Sequence, residues 1–264
     1  MTTEIKHTFV IPAYGDSDFI EECLDALIKQ TVESRIILST STPSLFIEKL
    51  SKKYNIPLFI HTNRTGIASD WTFACQSCES KYVTIAHQDD IYLPSYTEQF
   101  MSAIEQSQDS LIAFSDYKEI YNGALRTDTL LLNIKRAILF PFFILSNRIS
   151  SKLFKKAILA GGSSICCPSV MFNKKKIGDI SFNTKMSINM DWYFWWKLAG
   201  KKGDFVFLKE RLMHHRIHSA SETSNGLISN RRQSEDQYMF QKIWPKPIAA
   251  ILSKLYSFSY RSNN

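Results

Sequence analysis

The first 117 residues constrain the fold most, because apolar runs of strand length recur there with helical patterns between them. HTFVI, RIILS, PLFIH, KYVTIA and SLIAFS are rich in β-branched and aromatic side chains and bounded by turn residues. DFIEECLDALIKQT places Ile20, Leu24, Leu27 and Ile28 on one face, with Asp18 and Glu21 positioned to cap its start. PSLFIEKLSKKYN, GIASDWTFACQSCES and LPSYTEQFMSAIEQS repeat the helical spacing. Strand alternating with helix predicts an α/β fold, a mostly parallel central sheet with helices on both faces. Ligands of such sheets bind beyond the carboxyl ends of the strands, so residues 12–16, 39–44, 63–66 and 87–90 should share one rim.

On that rim AHQDDIYLP sets Asp89 and Asp90 side by side where the run KYVTIA stops. Two carboxylates at a strand's end in a nucleotide-type sheet suit a divalent cation that bridges phosphates. The plainer alternative is a surface turn, or a cap on the helix starting near Ser95. No GxGxxG is present, which disfavours a nicotinamide enzyme. Cys75 and Cys78 form a CxxC inside a helical pattern with no second pair, which disfavours a metal or redox role. Five cysteines without framework spacing fit a reduced, cytoplasmic compartment. The opening MTTEIKHTFVIPAYG lacks a signal-peptide layout, and no apolar stretch is long enough to span a bilayer. His214, His215 and His218 invite a zinc reading, but neither a fourth ligand nor HExxH accompanies them.

Charge is uneven. Residues 124–160 carry +6 and residues 225–264 carry +4 in a chain of +7, which leaves the remainder at −3. Both basic segments mix charge with apolar and aromatic residues, a pattern suited to a helix on an anionic lipid surface at the inner membrane face. The same pattern also suits an amphipathic helix packed on its own protein with Lys and Arg facing water. The basic residues form no nucleic-acid motif, so that partner is not expected.

Four segments together resemble the family-2 inverting glycosyltransferases of GT-A fold, over roughly residues 7–222. FVIPAYGDSDFIEECLDALIKQT resembles the family's first strand, nucleotide loop and first helix. AHQDDIYLP stands where the family has its DxD-type motif, MDWYFWWKLA where an Asp heads a helix, and HHRIHSASET where a late Arg-x-His-x-x-Ser segment lies near the diphosphate. The resemblance implies a nucleotide-sugar donor, most simply a UDP-sugar, a glycan or lipid-linked acceptor, and Mn²⁺ or Mg²⁺. It implies that Asp89 and His218 hold the metal and that Asp191 is the general base. Pro12, Ala13 and Tyr14, with Asn63, would border the nucleotide, Gln88 would meet the ribose, and Asp90 and Arg216 would lie at the donor sugar and diphosphate. Ser163, Ser164 and Trp192 are acceptor-side candidates, although Trp192, Trp195 and Trp196 at helical spacing suit core packing equally well. An Asp at position 191 would also be favoured simply as a helix cap.

Two positions depart from the family pattern. The second strand usually ends in a run such as DDGS whose Asp reads uracil, and here Thr40 takes its place, without charge to assist the bond. His87 replaces a frequent leading acid. The expected organisation is a GT-A domain over 1–222, with a nucleotide half 1–117, an acceptor half 118–222 and a basic apolar insert 124–160. A helical C-terminal appendage would occupy 223–264. Two other readings share features of this sequence. A metal-dependent nucleotidyltransferase would carry a Gly-rich phosphate loop that PAYGDSD lacks, and a non-catalytic nucleotide-sugar or glycan-binding protein would not need Asp191.

Overall fold

A computed structural model describes residues 5–62, 66–218 and 231–258. Alternation on the first strand sets the architecture. On β1 (His7–Ala13), Phe9 and Ile11 enter one apolar cluster while Val10 enters the other, so the sheet is buried on both faces, as parallel sheets are. The nucleotide half then runs α1 (Ile20–Ile28), β2 (Arg35–Thr40), α2 (Leu45–Tyr54), β3 (Leu58–Ile60), α3 (Ile67–Gln76) and β4 (Tyr82–Ile85). β5 (Ile91–Tyr92), α4 (Tyr96–Ser107), β6 (Ser110–Tyr121) and β7 (Ala124–Arg126) follow. The five runs read as strands and the four helical patterns all form where the spacing predicts them. The cap on α1 differs: Phe19 holds the capping position without a side-chain bond, so Asp18 does not cap.

The second half holds α5 (Leu130–Leu139), β8 (Arg148–Ile149), α6 (Lys152–Ala160), β9 (Val170–Asn173), α7 (Lys174–Ile177), α8 (Met190–Ala199) and β10 (Asp204–Ile217). Two further helices, α9 (Arg231–Ile243) and α10 (Lys246–Phe258), complete the described chain. The sheet order is β3-β2-β1-β4-β9-β6-β10-β5, with β7 on β6 and β8 on β10. β3, β2, β1 and β4 are mutually parallel, as are β6 and β10, while β9 runs antiparallel between β4 and β6. Helices α1, α2 and α4 cover one face; α3, α6, α8 and α9 cover the other. Met239 and Phe240 of α9 and Ala249 of α10 are fully buried in that second cluster, so the C-terminal helices share the core of the sheet. Among the described residues no helix is long and apolar enough to cross a membrane.

One ladder brings distant residues together. β10 pairs antiparallel with the short β5, His214 opposite Ile91, directly after the acidic pair. Register shifts against β6 between Leu208 and His214 mark irregular pairing where β10 approaches the rim.

Candidate functional site

A cleft of about 570 Å³ opens beyond the ends of β1, β2 and β4, where the connections leave the sheet. Of the acidic pair, Asp89 lines it and Asp90 does not. Asp90 is fully buried and engaged: Arg216 N donates to Oδ1 at 2.8 Å, and His215 Nδ1 lies 3.0 Å from the same atom. Asp89 lines the cleft and meets His218 Nε2 at 2.8 Å. Neither carboxylate caps α4, whose capping position is Ser95, but the pair does sit in a turn, with Asp90 N donating to His87 O at 3.2 Å. Burial would raise the Asp89 carboxyl, but the His218 bond and the positive fields of His87, His215 and His218 outweigh it and hold the group below its ordinary range. His215 moves the other way: burial works against its charge, yet Asp90 and Asp89 raise it.

His87, Asp89 and Asp90 bring ligand-type atoms within 4.8 Å of one another, and His87 Nε2 is buried without a hydrogen-bond partner among the described residues. Carboxylate oxygens with imidazole nitrogen are a donor set suited to Mn²⁺, with Mg²⁺ served by the oxygens. The residues therefore fit the cation implied by the resemblance, with Asp89 and His218 at the cleft surface. Asp90, held by His215 and the Arg216 amide, lies beneath them as a support. Arg216 donates from Nε to the Asp89 carbonyl at 2.9 Å, pairs with Glu22 and covers the Phe19 ring at 4.4 Å.

The nucleotide end differs from expectation in three places. Gln88 lines the cleft, but its amide accepts from Tyr14 N at 3.0 Å and donates to Tyr14 O at 3.1 Å. An acid could not make both bonds, which gives the amide at this position a structural reason. Tyr14 is thereby fixed with its ring exposed at the cleft, beside Pro12, whereas Ala13 is buried in the core. Gly15 adopts φ +61° and donates its N–H to Thr42 Oγ1 at 2.8 Å, a backbone conformation that glycine takes without strain. Thr40 does not reach the cleft: it is buried, and its hydroxyl accepts from Thr42 N at 3.0 Å. A carboxylate that does line the cleft is Asp70 on the first turn of α3, which accepts from Ser41 Oγ at 2.9 Å and meets His61 Nδ1 at 3.0 Å. Asn63 lies outside the described residues.

The cleft is also lined by Ser163, Lys135, Asp191 and Tyr256. Asp191 is the second residue of α8 rather than its cap, a position held by Asn189. Burial lifts its carboxyl to about 6, against the pull of the Trp192 amide, Lys135 and Arg232. Its Oδ1 accepts from Trp192 N at 2.6 Å. Trp192 is corrected as an acceptor contact: its ring is fully buried against Phe240 and Tyr256, and its indole N–H donates to the Leu159 carbonyl at 2.9 Å. Trp195 is buried beside it, whereas Trp196 is partly exposed. Ser164 is corrected too, because its hydroxyl is buried and donates to Ile158 O at 2.6 Å.

Sequence reasoning missed His215, Asp70, Lys135 and the contribution of α9. His215 stood in a noticed cluster, and strand alternation from His218 gave no reason to prefer it over His214. Asp70 and Lys135 sit on helices, where nothing in the spacing distinguishes a cleft-facing charge from a solvated one.

The model of the family described as Glycosyl transferase family 2 matches residues 8–180. An uncharacterized glycosyltransferase of Rickettsia typhi is 21% identical over 229 residues, covering 83% of this chain and 66% of that protein. Glycosyltransferase GlyA of Streptococcus pneumoniae is 25% identical over 113 residues, 41% of this chain and 16% of that one. Thus the chain spans two thirds or less of the length of these relatives. Among solved structures, S. aureus TarS 1–349 in complex with UDP-GlcNAc has a TM-score of 0.59 at 16% identity, covering 83% of this chain and 61% of TarS 1–349. Mannosyltransferase PcManGT from Pyrobaculum calidifontis, in complex with GDP-Man and Mn²⁺, has a TM-score of 0.63 at 14% identity, covering 99% of this chain and 72% of its own. At such identities these likenesses show the fold.

Proposed function

The chain belongs to glycosyl transferase family 2, and we propose that it moves a sugar from a nucleoside-diphosphate donor to a hydroxyl of a glycan or lipid-linked acceptor, inverting the anomeric centre. The observation that carries this reading is one cleft lined by two carboxylates in different environments, Asp89 held ionised among histidines and Asp191 raised to about 6 by burial.

Tyr14 and Pro12 would face the base and ribose, with Gln88 fixing the Tyr14 backbone. A UDP-sugar is the donor we favour. Asp70, not Thr40, offers the charged acceptor for the N–H of a uracil edge. Asp89 and His218 would hold Mn²⁺ or Mg²⁺, which when bound supplies positive charge to offset the negative charge developing on the departing diphosphate. Asp191 takes the proton of the acceptor hydroxyl as its oxygen attacks the anomeric carbon. The bond from that carbon to the diphosphate oxygen breaks on the opposite side, its electron pair leaves with the nucleotide, and one displacement inverts the centre.

We also propose a peripheral contact with an anionic membrane at the cytoplasmic face. Ile248, Ile251 and Leu255 form an exposed stripe on α10 with Lys246 and Lys254 beside it. Ile144, Leu145, Leu153 and Phe154 are exposed within the basic 124–160 segment, where Phe142 and Phe154 rings lie 5.8 Å apart. Both segments carry the chain's positive charge, which suits anionic lipid.

Screening nucleotide sugars with Mn²⁺ by thermal shift tests the donor, since a ligand at a hundred times its Kd adds about 2.7 kcal/mol of stability. No shift with any UDP-sugar would refute the uridine assignment. Asp191→Asn that binds donor yet transfers normally would refute the base.

A further inference from the structure

The turn that precedes Asp191 is held by a later helix, α9. Helix N-termini leave backbone N–H groups that need acceptors. Asn189, at the capping position of α8, makes no side-chain cap bond, and its amide nitrogen donates to Asp236 Oδ1 at 2.6 Å. The preceding amides are met by Glu235. Its Oε1 accepts from Ser187 N at 2.8 Å and Ser187 Oγ at 3.0 Å, and its Oε2 from Ile188 N at 2.9 Å and Asn189 N at 2.8 Å. Four charge-assisted bonds thus converge on one carboxylate at the positive end of a helix. Both acids stand on α9, which is anchored by buried Met239 and Phe240, the latter 5.1 Å from the Trp192 ring.

We infer that Glu235 is a positioning residue for sugar transfer, gripping residues 187–189 so that Asp191 faces the acceptor, with Asp236 as a second tie through Asn189. This rests on the reading of Asp191 as general base. The physical argument is geometric. Asp191 follows the gripped turn by two residues, so its carboxylate goes where the turn goes. A displacement of about 1 Å at a reacting group costs roughly a hundredfold in rate. The bonds of Glu235 and Asp236 go to the turn at 187–189 rather than to residues 87–90, so the donor end should not notice their loss.

Glu235→Gln tests this, because it turns one accepting oxygen into an amide donor facing N–H groups. With the nucleotide sugar that the thermal screen selects, kcat should fall roughly 10- to 100-fold. The Kd for the matching nucleoside diphosphate with Mn²⁺ should stay within about twofold, and hydrogen exchange at amides 188–193 should accelerate. Asp236→Asn, which keeps an oxygen for Asn189, should retain more kcat than Asp236→Leu. Unchanged kcat in Glu235→Gln, or kcat and nucleotide affinity falling in parallel, overturns the inference. An active Asp191→Asn would end the base reading itself, whereas an inactive Asp191→Asn beside a fully active Glu235→Gln ends only the positioning role.

Discussion

Asp89 and Asp191 are the same residue type lining one cleft, and their surroundings shift them in opposite directions. Asp89 sits among His87, His215 and His218, whose fields overcome burial and keep it ionised. Asp191, in the first turn of α8, is lifted by burial to about 6, because the Trp192 amide, Lys135 and Arg232 do not cancel it. A group that holds a cation must stay charged at all working pH, and a group that takes a proton works best near the pH where it titrates. The difference teaches that environment, not residue type, assigns the proposed roles.

The sharpest way to break the comparison is to neutralise each acid. Asp191→Asn should lower transfer by roughly 10²- to 10⁴-fold, the usual worth of a general base, while nucleotide and Mn²⁺ bind as before in calorimetry. Asp89→Ala should do the reverse, removing the Mn²⁺-dependent part of nucleotide affinity, by tenfold or more. If both variants lost binding equally, the two roles would not be separate.

Titration gives a smaller effect. The transfer rate of wild type should rise with pH and level off above about 6, as Asp191 loses its proton. The same shift has a stability consequence. Asp191 binds its proton more tightly folded than unfolded, its value moving from 3.8 to about 6, so stability falls as pH rises through that window and stays lower above it. Asp191→Asn lacks the ionised buried group, so its melting temperature should exceed wild type at pH 8 and converge with it near pH 4. A gain at low pH instead would contradict the sign. The smallest effect is expected at Thr40, where Val should cost about 1 kcal/mol in denaturant unfolding by removing the acceptor for Thr42 N. Nucleotide affinity should stay within about threefold, since the hydroxyl does not reach the cleft.

Much of this was legible before any coordinates. The period-2 and period-3.6 patterns of residues 7–115 fix the strands and helices, and the rule on strand ends places residues 12–16 and 87–90 on one rim. Asp89 stands out where an apolar strand run stops, whereas Asp191 is singled out only through the family resemblance of MDWYFWWKLA. Trp192 and Ser164 were misplaced because a helical or loop residue beside a site can equally point away from it. Only packing shows that the indole faces Phe240 and the hydroxyl faces Ile158.

Local order along the chain, then, determined the elements and the edge at which a ligand would sit, because hydrophobic period and turn chemistry act over a few residues. The assembly of His215 on Asp90 across 125 positions, and of Glu235 on the turn at 187–189, came only from the folded molecule. Such bonds depend on which strand pairs with which and where α9 docks, and no short-range pattern encodes that.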